Sequence, residues 1–130
     1  MTNKPLNRIL YAEDEEDIRS IAQIALEDVG GFTVIYCKSG VELLEKAKEF
    51  KPDLFLLDVM MPDMDGPTTL SRLRAIPEFA DIPAIFMTAK IQPNEIEDYK
   101  KIGVLDVISK PFDPMKLADN IRDAWTKMYG

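Results

Sequence analysis

The sequence predicts a doubly wound α/β domain, a three-layer sandwich of five βα units with a parallel sheet between two layers of helices. Three observations point there. Short apolar runs alternate with segments of helical periodicity. The run from Asp53 to Asp58 is apolar on both faces, as a central parallel strand must be. Four runs also end in residues suited to phosphate or metal chemistry: Ile9-Leu10-Tyr11-Ala12 leads into Glu13-Asp14, Leu54-Phe55-Leu56-Leu57 into Asp58, Ala84-Ile85-Phe86-Met87 into Thr88, and Leu105-Asp106-Val107-Ile108-Ser109 into Lys110-Pro111. Parallel strands share a C-terminal edge, so these sets meet where open α/β sheets bind ligands.

The elements follow in order. After the first strand, Ile18, Ile21, Ala22, Ala25, Leu26 and Val29 recur at the spacing of one helix face, and Gly30-Gly31 stops the helix. Thr33-Val34-Ile35-Tyr36 is the second strand, with Cys37 at its end as a small buried residue. Ser39 is placed as the N-cap of a helix that turns Val41, Leu44, Ala47 and Phe50 inward and ends at Lys51-Pro52-Asp53. Val59 to Pro67 holds two prolines and a glycine, which predicts a loop before a helix carrying Leu70, Leu73 and Ile76. A strand from Ile82 to Thr88, a helix from Asn94 to Ile102, a strand from Val104 to Ser109 and a helix from Pro114 to Tyr129 complete the chain. On the last helix Leu117, Ile121, Ala124 and Met128 share the face expected to pack on the sheet, and Trp125 and Tyr129 lie beside it, covering either the edge of the core or a partner. Right-handed crossovers limit how five such strands can be ordered, and the flavodoxin-like order 2-1-3-4-5 puts the first and third strands side by side.

Composition narrows the function. The 130 residues fit one domain (core 8–129), without linker or repeat. A formal charge of −7 argues against a nucleic-acid footprint. The sequence has no apolar stretch long enough for a membrane-spanning helix and no signal peptide at Met1-Thr2-Asn3-Lys4-Pro5, so the cytoplasm is the expected location. A lone cysteine makes no internal disulfide.

Glu13, Asp14 and Asp58 would share one pocket, and carboxylates repel. Two unit charges about 4 Å apart cost roughly 4 kcal/mol at an effective dielectric of 20, so the cluster calls for a cation. An all-oxygen site with room for water and phosphate suits Mg²⁺, with Mn²⁺ as a substitute. Lys110 and the Thr88 hydroxyl suit a transferring phosphoryl group, which leaves Asp58 as the nucleophile. Each feature has a plainer reading. Glu13-Asp14-Glu15-Glu16-Asp17 alone would be an acidic helix start. Asp63, Asp65 and Gly66 suggest a calcium loop, but Met61 and Arg72 then fall where carboxylates belong, so these residues are read as turn formers, with Gly66 tolerating a positive φ.

Glu13-Asp14, then Asp58 followed by Val59-Met60-Met61-Pro62-Asp63-Met64-Asp65-Gly66, then Thr88-Ala89, then Lys110-Pro111-Phe112 together resemble the receiver domain of two-component response regulators. The resemblance covers about Arg8 to Tyr129 and implies a phosphoacceptor signalling domain rather than an enzyme. It implies that Asp58 accepts a phosphoryl group from a sensor histidine kinase or phosphotransfer protein. Mg²⁺ would be held by Glu13, Asp14, Asp58 and the Met60 carbonyl. Thr88, Ala89 and Lys110 match the phosphoryl-binding positions, and the bond before Pro111 would be cis. Met60 and Lys90 flank the expected water path and would tune the phosphoryl lifetime. Val107 stands where the family often has an aromatic residue, so switching of the face made by the fourth helix, fifth strand and fifth helix would proceed without ring rotation. Glu13, one methylene longer than the usual aspartate, suggests ligation through water. A monomer or a phosphorylation-dependent dimer is expected. With no output domain in view, the chain is either a stand-alone receiver that docks to a downstream protein or part of a longer regulator. Two alternatives remain: an aspartate-nucleophile phosphohydrolase, whose second aspartate would be needed where Met60 stands, and a degenerate receiver that binds partners without phosphorylation.

Overall fold

A computed structural model describes residues 5–129. Five parallel strands, β1 (Arg8–Ala12), β2 (Thr33–Cys37), β3 (Leu54–Asp58), β4 (Ala84–Thr88) and β5 (Val104–Ser109), form one sheet in the order β2-β1-β3-β4-β5. The fold is the flavodoxin-like arrangement expected. Helix α1 (Glu16–Gln23) continues directly into a π-helical segment, Ile24–Val29. Helices α2 (Gly40–Phe50), α3 (Gly66–Arg74), α4 (Pro93–Lys101) and α5 (Leu117–Tyr129) follow, with a short 3₁₀ turn at Pro77–Phe79.

Side-chain alternation divides the core between the two faces of the sheet. Ile9, Tyr11, Leu54, Leu56, Ile85 and Met87 pack with Ala22, Ala25 and Leu26 and with Leu117, Ile121 and Trp125 of α5. Leu10, Phe55, Leu57 and Phe86 face the other way, onto Leu43, Ala47 and Phe50 of α2 and Leu70 and Leu73 of α3. All five residues of β3 are buried, which accounts for its unbroken apolar run. Cys37 is buried, and burial pushes its thiol up to about 12, consistent with a packing role.

Several faces differ from expectation. On the first helix Ala22, Ala25 and Leu26 are buried, but Ile21 and Val29 are each 44% exposed. The π-helical turn has more residues per turn than an α-helix and rotates Val29 off the buried stripe; Ile21 flanks that stripe. On α2 the inward residue is Leu43, not Val41, because Gly40, Leu43, Ala47 and Phe50 form the face toward the sheet. Met128 is exposed on α5, whereas Trp125 is buried and stacks on Tyr129 with ring centroids 4.4 Å apart. The stripe drifts around a 3.6-residue helix, so Trp125 lies on it at i+4 from Ile121.

Boundaries moved where local hydrogen bonds decided them. Ile76 lies beyond α3, where it precedes the 3₁₀ turn. Ile82 donates to the Phe79 carbonyl and so precedes β4. Residues 114–116 form a turn before α5. Ser39 caps α2 as expected, accepting the Glu42 N–H at 3.1 Å. Gly31, which closes the first helical segment, has φ +75°.

Gly66 is a correction of reason. It is not among the positive-φ residues; a Cβ there would lie 2.7 Å from the Asp58 carbonyl oxygen, so the glycine lets α3 start against the end of β3. Asp65 caps α3, accepting the Thr68 N–H at 2.7 Å, and Asp63 accepts the Val41 N–H at 3.1 Å. Among the described residues no helix is long and apolar enough to cross a membrane.

Candidate functional site

Strand register builds the site. Ala12 pairs with Leu57, and Asp58 with Met87, so the residues just past β1 and the last residue of β3 lie side by side at the C-terminal edge. Thr88 pairs with Ser109, which brings Lys110 up from the other side, and the Lys110 N–H donates to the Thr88 carbonyl at 2.8 Å. Glu13, Asp14 and Asp58 each offer a carboxylate oxygen within 4.8 Å of the others. Glu13 and Asp58 are buried, and Asp14 is more open.

Lys110 Nζ lies 3.0 Å from Asp58 Oδ2 and 3.0 Å from Glu13 Oε1, a single ammonium between two buried carboxylates. Burial alone would lower the Lys110 pKa; the two carboxylates outweigh it and raise it, so the lysine stays charged. Burial is also the main influence on Glu13: reinforced by the Asp58 charge and only partly offset by Lys110, it pushes the carboxyl up to about 7. The one lysine therefore only partly compensates the burial of the Glu13 carboxylate beside Asp58.

Polar contacts hold the groups in place. The Met60 N–H reaches Asp58 Oδ1 at 3.3 Å, while the Met60 side chain is 74% exposed. Thr88 Oγ1 is hydrogen-bonded to the Lys90 backbone, with N and O both at 3.3 Å. The Lys110-Pro111 bond is cis. A cavity of about 440 Å³ opens beside Asp58, and its wall includes Asp14, Thr88, Ala89, Val107, Lys110 and, on α4, Tyr99. Val107 is buried at its edge, and Tyr99 packs edge-on against Phe86 with centroids 4.7 Å apart.

Two participants escaped the sequence reading. Arg19 donates to the Glu13 carbonyl at 2.7 Å, and the Tyr11 hydroxyl donates to Glu13 Oε1 at 3.3 Å. Burial first, and then the Glu13 and Asp58 charges, push the Tyr11 phenol far above its ordinary range, so it stays a neutral donor. Period-2 alternation was the available signal for Tyr11, since it shares a strand face with Glu13.

The model of the response regulator receiver domain family matches residues 9–122. The chain belongs to this family. The receiver is 33% identical over 113 residues to a probable C4-dicarboxylate response regulator DctR of Halalkalibacterium halodurans, a match spanning 86% of this chain and 48% of that protein. It is 35% identical over 115 residues to the alkaline phosphatase synthesis transcriptional regulatory protein PhoP of Bacillus subtilis, spanning 88% of this chain and 47% of that one. The receiver thus spans about half the length of these curated relatives. Among solved structures, Vibrio cholerae chemotaxis protein CheY4 superposes with a TM-score of 0.84 at 26% identity, over 92% of this chain and 99% of that one. The N-terminal domain of a response regulator receiver protein from Methanoculleus marisnigri gives a TM-score of 0.76 at 38% identity, over 92% and 96% of the two chains.

Proposed function

We propose that this receiver takes a phosphoryl group onto Asp58 from a histidine kinase or phosphotransfer protein. The observation that carries this reading is the Lys110 ammonium 3.0 Å from the buried Asp58 carboxylate, beside two further acids and an open cavity. Asp58 attacks the phosphorus, an O–P bond forms as the donor's N–P bond breaks, and the imidazole leaves. Lys110 balances charge on the transferring oxygens, and Thr88, with Ala89 beside it, supplies a hydroxyl within the same cavity.

The residues fit a hard divalent cation, because the donor set is all oxygen and carries more negative charge than one lysine offsets. Glu13, Asp14, Asp58 and the Met60 carbonyl would hold Mg²⁺. When bound, the ion supplies positive charge for the phosphoryl oxygens. The buried Glu13 carboxylate already lies in the cluster, which favours direct ligation over ligation through water.

Output would pass through the face of α4, β5 and α5. The cavity runs from Asp58 to Tyr99 on α4, so a shift of Thr88 is felt there, with Val107 filling space passively. Incubation with acetyl phosphate and Mg²⁺ should add one phosphoryl mass to the wild type and none to Asp58→Asn. An unchanged mass in both would overturn the assignment.

A further inference from the structure

Tyr11 is fully buried near the end of β1, on the sheet face that carries Ile9, Leu54 and Leu56. Its hydroxyl donates to Glu13 Oε1 at 3.3 Å, the oxygen that also accepts Lys110 Nζ at 3.0 Å. The Glu15 N–H reaches the other oxygen, Oε2, at 3.3 Å. Three donors thus fix one carboxylate, two from residues flanking Glu13 in sequence and one, Lys110, from just past β5. The Tyr11 ring is itself anchored: it meets Tyr36 edge-on with centroids 5.9 Å apart, and the Tyr36 hydroxyl donates to Glu27 Oε2 at 2.9 Å. Glu27 lies in the π-helical segment, so the first helical crossover braces the tyrosine pair from outside.

We propose that Tyr11 is a positioning residue for Glu13, and that its hydroxyl sets the affinity of the acidic cluster for a divalent cation. The inference rests on the metal-binding reading of that cluster. Glutamate has one more rotatable bond than aspartate, so a buried glutamate ligand needs more fixing. Lys110 is an unreliable holder, because it is shared with Asp58 and would be drawn to a phosphoryl group there. Tyr11 makes no contact with Asp58 among the hydrogen bonds of the site and keeps its grip while Lys110 changes partner. Hydrogen-bond partners of metal-ligating carboxylates commonly carry about 10- to 100-fold in metal affinity.

The length of the side chain supplies a discriminating test. An aspartate at position 13 draws its carboxylate back by a methylene, out of reach of the Tyr11 hydroxyl, so the effect of Tyr11 should exist only with glutamate present. Mn²⁺ alone is the probe, with the free ion followed by electron paramagnetic resonance. Tyr11→Phe should weaken Mn²⁺ binding about tenfold. In a Glu13→Asp background the same substitution should change the Kd by less than about twofold, the usual margin for uncoupled sites. Phenylalanine keeps the ring and its contact with Tyr36, and circular dichroism verifies that the variants are folded. Equal Kd values for wild type and Tyr11→Phe would overturn the positioning role, as would an equal loss in both backgrounds, which would trace the effect to packing. A wild-type protein without Mn²⁺ affinity would instead overturn the metal reading beneath it.

Discussion

Glu13 concentrates the conflict between stability and function. Its carboxyl rises from an ordinary 4.5 to about 7, chiefly through burial. The folded protein therefore binds more protons than the unfolded chain between those values, so the Glu13 contribution to stability is present below about pH 4.5 and declines as pH rises toward 7. At about 1.4 kcal/mol per pKa unit the full cost is on the order of 3–4 kcal/mol. In metal-free urea denaturation we expect Glu13→Gln to exceed wild type by roughly 3 kcal/mol at pH 7.5 and to come close to it near pH 4.5. Mg²⁺ should narrow the gap at pH 7.5, since it binds the folded wild type. Equal stability at both pH values would show that the carboxylate is not strained.

Met60 and Lys90 belong to the same scale. Both side chains are exposed at the mouth of the Asp58 cavity. If they shield the acyl phosphate, Met60→Ala and Lys90→Ala should each speed its decay about threefold by admitting water. Decay of radiolabelled phosphoprotein measures this, and unchanged lifetimes would remove the role.

At the scale of elements, α4 differs from its counterparts. It has no buried residue, whereas α5 buries Leu117, Ala118, Ile121, Ala124 and Trp125. Ile96 and Tyr99 attach it by partial burial, and the cavity extends to both. Few apolar contacts mean cheap local opening, so α4 is suited to shift when the site changes. Hydrogen exchange should be about tenfold faster, or more, in α4 than in the centre of α5. Equal protection would make α4 a fixed wall. Arg74 shows the opposite design at the other edge of the sheet: its guanidinium donates to the carbonyls of Phe79, Ile82 and Ile102, pinning the turn before β4 to the segment before β5.

For the whole molecule, the face of α4, β5 and α5 bears on association. Ile91, Ile102 and Met128 are 40%, 42% and 62% exposed around it, while the bulky Trp125 is only 5% exposed. The apolar residues left in solvent are therefore modest, and net charge of −7 opposes self-association. Light scattering should give the monomer mass without a phosphodonor, and any doubling should require acetyl phosphate and Mg²⁺. A dimer present in both conditions would uncouple association from Asp58.

The gathering of Glu13, Asp14, Asp58, Thr88 and Lys110 was legible in the sequence because it follows from local rules, while the strand order was one of the few that right-handed crossovers allow. Apolar runs mark strands, parallel strands share an edge, and crossovers have one hand, so the chemistry at strand ends converges whatever the packing details. Helix faces were less legible. Val41 against Leu43 and Met128 against Trp125 differ by rotations that only the opposing sheet decides, and the π-helical turn that exposes Val29 leaves no mark in apolar periodicity. Gly66 required the close approach of α3 to the Asp58 carbonyl, a contact formed between segments rather than within one. The same holds for the Tyr11 hydroxyl on Glu13, because the path of a buried side chain depends on the cavity that surrounds it. The sequence alone determined which groups meet at the sheet edge; tertiary structure decided their orientation, because orientation is settled by packing and desolvation across elements.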